Sequence, residues 1–402
     1  MGVQFAAEGV EGERVHAAAV ADAQHGLGDD LLAEAAPGPP GASAGRRARA
    51  VGRSLATASG GAEAQRHLHA LGITGWQDAW VTPATQDAYQ VLAADGRLTA
   101  RVVGALWWER SRGLEQIAEL VERRTRGREV TAPGAGLGSG FHPTTVKIMT
   151  DGVLENHTGA LLEPYCDGCG GHSDNLGLSY VPYELLCDAV TELDALGFQV
   201  HLHAIGDRSV RNSLDAIAAA RTANGHGDQR HHIAHMQLID HQDLPRFAEL
   251  GVIVNCQAYW AQSEPQMDEL TVPFIGVERA RLQYPFAHLL ASGAKLVMGS
   301  DWAVTTADPL QQIEVAVTRT DPENRGNAPF LPEQRLTLDQ AVDAFTAGSA
   351  HVNHDQQGGV IEAGRRADLA LLDADLFAPG APPIADARVV LTVAAGRVVH
   401  ES

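Results

Sequence analysis

Lysine is almost absent from this chain: of 30 basic residues only Lys147 and Lys295 are lysines, and the rest are arginines. Such a bias, with abundant Ala and Gly, reads as GC-rich coding. It makes each surviving lysine a candidate for chemistry that a guanidinium cannot perform. Cysteine is scarce too. Cys166, Cys169, Cys187 and Cys256 are too few and too scattered for a secreted scaffold built on disulfides, so a reducing cytoplasm is the expected home. No run of 18 apolar residues occurs, which argues against a membrane span. The N-terminus lacks the charged start and apolar stretch of a secretory signal. Positive charge is outnumbered, with 50 acidic residues leaving a net −20 at pH 7, whereas nucleic acid requires a basic face. What is present is a 45% hydrophobic chain of 402 residues, enough for one large α/β barrel or two ordinary domains.

The first sixty residues differ from the remainder. Between Ala35 and Gly61 nearly every residue is Ala, Gly, Pro, Arg or Ser, without apolar periodicity of 2 or 3.6. That composition cannot bury enough surface to offset its ordering entropy. Two readings of segment 1–61 stay open: a disordered tail, or a misassigned start or reading frame.

From Ala62 to Ala350 the pattern alternates strand and helix. Strands are expected at Ile73–Ala79, Leu98–Leu106, Thr145–Thr150, Phe198–His203, His232–Met236, Val252–Cys256 and Lys295–Gly299. Helices are expected at Ala62–Ala70, Thr85–Ala94, Gly113–Arg126, Tyr183–Leu196, Arg208–Ala223, Gln242–Leu250, Val277–Ser292, Pro309–Thr318 and Leu338–Ala350. Strict alternation implies a parallel sheet of the TIM-barrel type, and the count falls one short of the eight strands that close such a barrel. Residues 351–402 change character. Short strands at Gly359–Glu362, Leu369–Asp373, Val389–Val393 and Arg397–His400 read as part of a small β-sandwich, too small to bury a core alone.

Catalytic groups in such barrels sit at the C-terminal ends of strands. Four strand ends carry suitable residues: Lys147 with Asp151, His203, His235, and Asp301. Neutral imidazoles bind a borderline divalent ion such as zinc, and that ion lowers the pKa of bound water to ~7. A carboxylate beside the water takes its proton and passes it to a leaving nitrogen. His203 and His235 fit as ligands and Asp301 as the proton carrier. His201 is expected to face away from the site, and His231 and His232 are also left out of it.

The segments VKIMTDGVLENHTGALLEPY, HLHAIGDRSV, RHHIAHMQ, VMGSDWAV and EAGRRADLALLDADL resemble the amidohydrolase superfamily, in its amidohydrolase-3 branch of YtcJ-like and N-substituted formamide deformylase-like proteins. The resemblance runs from about Ala62 to the C-terminus. It implies that His203 and His235 bind a metal and that Asp301 contacts metal and shuttles protons. It further implies that Lys147 occupies the place of a carboxylated lysine bridging two metals, and that the C-terminal strands form half of a β-sandwich.

One signature is missing. The family's His-x-His strand has no counterpart, and His67-Leu-His69 lies on a helix, where residues two apart diverge by roughly 200°. Cys166-Asp-Gly-Cys169 with His172 lacks a second ligand pair and reads as an insertion loop over the site. Tyr165 and Trp302 are candidates to line a substrate pocket.

The expected function is hydrolysis of a non-peptide carbon–nitrogen bond in a small amide or N-formyl compound, with one or two divalent ions, zinc foremost. The alternatives are an inactive remnant lacking the His-x-His ligands, and a heterocyclic-base deaminase. The 402-residue chain itself is expected to show little or no activity and to associate through its open face, so a homo-oligomer is allowed.

Overall fold

The computed structural model describes residues 57–129, 139–168, 171 and 173–402. Most of the segment 1–61, along with Cys169 and His172, falls outside the described residues. Helix α1 (Ala58–Ala70) starts four residues before the expected Ala62 because the Thr57 side chain accepts the Gly60 N–H and caps it. It leads into β1 (Gly75–Val81). Then follow α2 (Pro83–Ala94), β2 (Arg101–Trp107), α3 (Ile117–Glu129), β3 (Gly140–Met149), α4 (Tyr183–Ala195) and β4 (Gln199–Ala204). The alternation continues through α5 (Asp207–Asn224), β5 (His232–His235), α6 (Leu244–Leu250), β6 (Ile253–Cys256), α7 (Phe286–Ala291), β7 (Leu296–Met298) and α8 (Pro309–Thr318).

The strands form one sheet in the order β1-β2-β3-β4-β5-β6-β7, all parallel. β1 and β7 are its edges among the described residues. The sheet curls strongly. Flat neighbours lie about 4.8 Å apart, so β1 and β4 would stand roughly 14 Å from one another. Instead the Gln77 side chain of β1 hydrogen-bonds Gln199 and His201 of β4. Helices cover the convex face, and the main apolar core lies between the layers, with Val146, Val200, Leu202, Leu214 and Phe247 buried.

Two expectations for helices need correction. Val277–Ser292 is not one helix: it breaks into Val277–Ala280 and α7. Tyr284 takes a left-handed φ of 45° before Pro285, which cannot donate into a helix. Leu338–Ala350 is likewise interrupted, with a π-turn at Ala344–Gly348 between Leu338–Asp343 and Ser349–Val352.

The tail folds as a separate antiparallel sheet, β8 (Leu369–Leu372), β9 (Val389–Ala394) and β10 (Arg397–Glu401), in the order β10-β9-β8. Gly359–Glu362 is not a strand; it is a bend followed by irregular chain, with Gly359 at φ 88° pressed against Ala347 and Ala350. Thr392 ties this sheet to α1, its hydroxyl donating to the His69 carbonyl at 2.7 Å.

Candidate functional site

Three consecutive strands bring their interior side chains into one row, because parallel pairing sets Lys147 opposite His201, and His201 opposite His232. His203 stands two residues further along β4, and His235 ends β5. Asp301 follows β7. The strands that carry the histidines are buried throughout: every residue of β4 and β5 is buried.

The structure brings together the four residues singled out by sequence. The His203 and His235 rings meet edge to face with centroids 4.6 Å apart. His203 Nε2 lies 3.0 Å from the Gly152 carbonyl. A carbonyl only accepts, so that nitrogen carries a hydrogen, and the tautomer this selects for the neutral ring leaves the lone pair on Nδ1. His235 Nδ1 is buried without a partner. Burial, then the neighbouring His203 and Lys147, holds His235 well below the usual imidazole range, so it is a neutral donor. Burial pushes the Lys147 ammonium down to about 8, against the pull of Asp301. It raises the Asp301 carboxyl, which Lys147 and His203 draw back. The set does not close on one point: among the described residues no group of three or more His, Cys, Asp or Glu is placed to hold a metal ion.

His201 and His232 correct the sequence reading. Both face the interior, 4.1 Å apart between ring centroids, and His201 Nε2 lies 3.1 Å from Lys147 Nζ. The error was one of strand arithmetic. His201 and His203 are two apart and share a face. His232 and His235 are three apart, yet His235 takes φ 77°, which ends the alternation and turns it to the same side. His231 does stay outside, accepting the Val200 N–H and bonding Asp194.

Sequence reasoning placed Asp151 at a strand end and gave it no role. Its carboxylate is fully buried and accepts backbone N–H groups of Ala160, Ile205 and Gly206 at 2.9, 3.1 and 2.9 Å. It thereby fastens the loop after β3 to the end of β4, beside His203. Gly206 must be glycine, since a Cβ there would meet the Ala160 carbonyl oxygen at 2.1 Å. The signal was present, an Asp-Gly directly after β3.

A cavity of about 220 Å³ opens between the two edge strands. Lys147, His201, His232, His235 and Asp301 line it together with Trp302. Trp302 also packs on His67 of α1 at 5.3 Å. His69 is buried, with Nδ1 and Nε2 bonded to Ile73 O and Thr99 Oγ1, so His67 and His69 serve packing in different directions. Tyr165 is packing as well: its hydroxyl donates to the Gly159 carbonyl within a separate apolar cluster.

Comparisons with known proteins bear on the family and the fold. The chain is 28% identical over 271 residues to Protein LONG AFTER FAR-RED 3 of Arabidopsis thaliana, covering 66% of this chain and 44% of that protein. It is 23% identical over 336 residues to an N-substituted formamide deformylase of Arthrobacter pascens, covering 83% and 58%. The chain thus spans about half the length of these relatives. Among solved structures, an uncharacterized metal-dependent hydrolase of Pyrococcus furiosus superposes with a TM-score of 0.61 at 27% identity, covering 77% of this chain and 58% of that one. The model of the Amidohydrolase family matches residues 44–400, and the chain belongs to that family.

Proposed function

We propose that this chain carries the site of a hydrolase for non-peptide carbon–nitrogen bonds, acting on a small amide or N-formyl compound in a reducing cytoplasm. The observation that carries the reading is the buried His235 Nδ1 without a partner, on a ring that meets that of His203, with Asp301 near enough to feel the His203 charge. Two neutral imidazole nitrogens and a carboxylate are the donor types of zinc. His203, His235 and Asp301 would hold the ion, and Lys147, carboxylated, would bridge to a second. A divalent ion there supplies Lewis acidity and lowers the pKa of water to ~7. Asp301 receives the proton and delivers it to the departing nitrogen, and Trp302 flanks the entering substrate.

A second reading has its own support. With no three-ligand set among the described residues, metal binding by this chain is weak, and the chain acts as a binding remnant without turnover. Zinc titration of the purified protein, followed by assay on a panel of N-formyl amines and amides, decides between them. Zinc-dependent hydrolysis lost in Asp301→Asn supports the hydrolase. Zinc binding without turnover supports the remnant, and no zinc binding at all overturns both.

A further inference from the structure

Two hydrogen-bond chains run toward the cavity that Lys147 lines, one reaching its Nζ through His201 and the other stopping at His232, and backbone groups at their far ends fix the polarity of each. In the first, Gln199 Nε2 donates to the carbonyls of Val352 and Arg230 at 2.6 and 2.9 Å. Its Oε1 must therefore accept, and it takes Gln77 Nε2 at 3.1 Å. Asn353 Nδ2 donates to the Ser349 carbonyl at 2.9 Å, and its Oδ1 takes the same Gln77 Nε2 at 3.0 Å. Gln77 Oε1 is left as an acceptor, so His201 Nδ1, 2.8 Å away, carries the hydrogen. A neutral imidazole has one N–H. His201 Nε2 thus turns a lone pair to Lys147 Nζ at 3.1 Å.

The second chain begins at the His235 backbone N–H, which donates to Gln257 Oε1 at 2.9 Å. Gln257 Nε2 then donates to Asn255 Oδ1 at 2.9 Å, and Asn255 Nδ2 to His232 Nδ1 at 3.2 Å. The hydrogen of His232 is consequently on Nε2, and that atom is buried without a partner. Two imidazoles 4.1 Å apart therefore hold opposite tautomers, one offering an acceptor and the other a donor to the cavity that Lys147 enters.

A free lysine head group only donates, which satisfies His201 and leaves the His232 N–H unused. A carbamate fits both. In its formation Nζ attacks the carbon of carbon dioxide, an N–C bond forms, one C=O electron pair moves to oxygen, and Nζ releases a proton to water. The product has one N–H and two acceptor oxygens. We propose that His201 and His232 are positioning residues for N-carboxylated Lys147, His201 accepting its N–H and His232 donating to one of its oxygens. This rests on the reading of Lys147 given above, to which it adds the residues that hold the group.

The test is nitrogen NMR of histidine-labelled protein, which separates the two tautomers, combined with carbon NMR in labelled bicarbonate to detect the carbamate. The expected result is Nδ1–H at His201, Nε2–H at His232, and a carbamate signal that Lys147→Met abolishes. His232→Leu lowers carbamate occupancy about tenfold or more, and His232→Gln, which keeps an N–H, restores it. Opposite tautomers, or a carbamate indifferent to His232→Leu, overturn this proposal and leave the reading of Lys147 standing. No carbamate in the wild-type protein overturns both.

Discussion

Lys147 and His201 face each other across the β3–β4 pair, Nζ to Nε2 at 3.1 Å, in one register row. No carboxylate is within ion-pair distance of Lys147 among the described residues, and the amine sits at 4% exposure. An amine kept in such a place costs stability through desolvation. Lys147→Met, of similar length and apolar, is expected to leave unfolding free energy unchanged or raise it by about 1 kcal/mol. Lys147→Arg overfills the row and should cost about 1–3 kcal/mol. Urea unfolding measures both.

Asp151 joins two loops through three backbone N–H groups. Asp151→Ala leaves these donors buried and unpaired, at about 1 kcal/mol or more each. A loss of about 3–5 kcal/mol is expected, with hydrogen exchange accelerated first at Ile205 and Gly206. A loss under about 1 kcal/mol would contradict the role given to this carboxylate.

Zinc binding should depend on both facing imidazoles. His203→Ala and His235→Ala are each expected to weaken zinc about tenfold or more, a difference of roughly 1.4 kcal/mol, by calorimetry on metal-free protein. Equal affinity in wild type and the double variant would remove His203 and His235 from the site.

Glu264 gives a pH prediction. Burial, then Glu155 and the other nearby carboxylates, raises its carboxyl to about 7, above an unfolded value of about 4.3. The folded state binds the proton more tightly, so stability is greatest below about 4.3 as far as this group is concerned. It declines as pH rises toward about 7. Glu264→Gln should flatten the slope of unfolding free energy across that window.

The C-terminal sheet exposes Leu371 at 57% and Val398 at 59%, and among the described residues the large sheet has two open edges. Both features favour association. Light scattering should therefore detect species larger than the 42.6 kDa chain. The double change Leu371→Lys with Val398→Lys should shift the population toward monomer.

Much of the fold was legible from local pattern. Helix and strand periods placed the seven parallel strands, and the strand ends carrying Lys147, His203, His235 and Asp301 stood out because their residue types suit metal chemistry. The reading failed where chain conformation departs from its period. Nothing local announces that His235 adopts φ 77° or that Tyr284 breaks a helix, since those angles are imposed by packing. Nor could periodicity show that Gln77 of β1 reaches His201 of β4, because that contact exists only when the sheet curls.

The sequence by itself thus determined the alternation, the parallel sheet, the residue types at the strand ends and the family likeness, all consequences of hydrophobic period and short motifs. Only tertiary structure decided which nitrogens face the cavity, which tautomers they hold, and that Asp151 fastens the site while Tyr165 merely packs. Several of those outcomes depend on hydrogen-bond partners far apart in the chain, such as Gln77 and Asn353 at a separation of 276 residues, and no local spacing encodes such pairings.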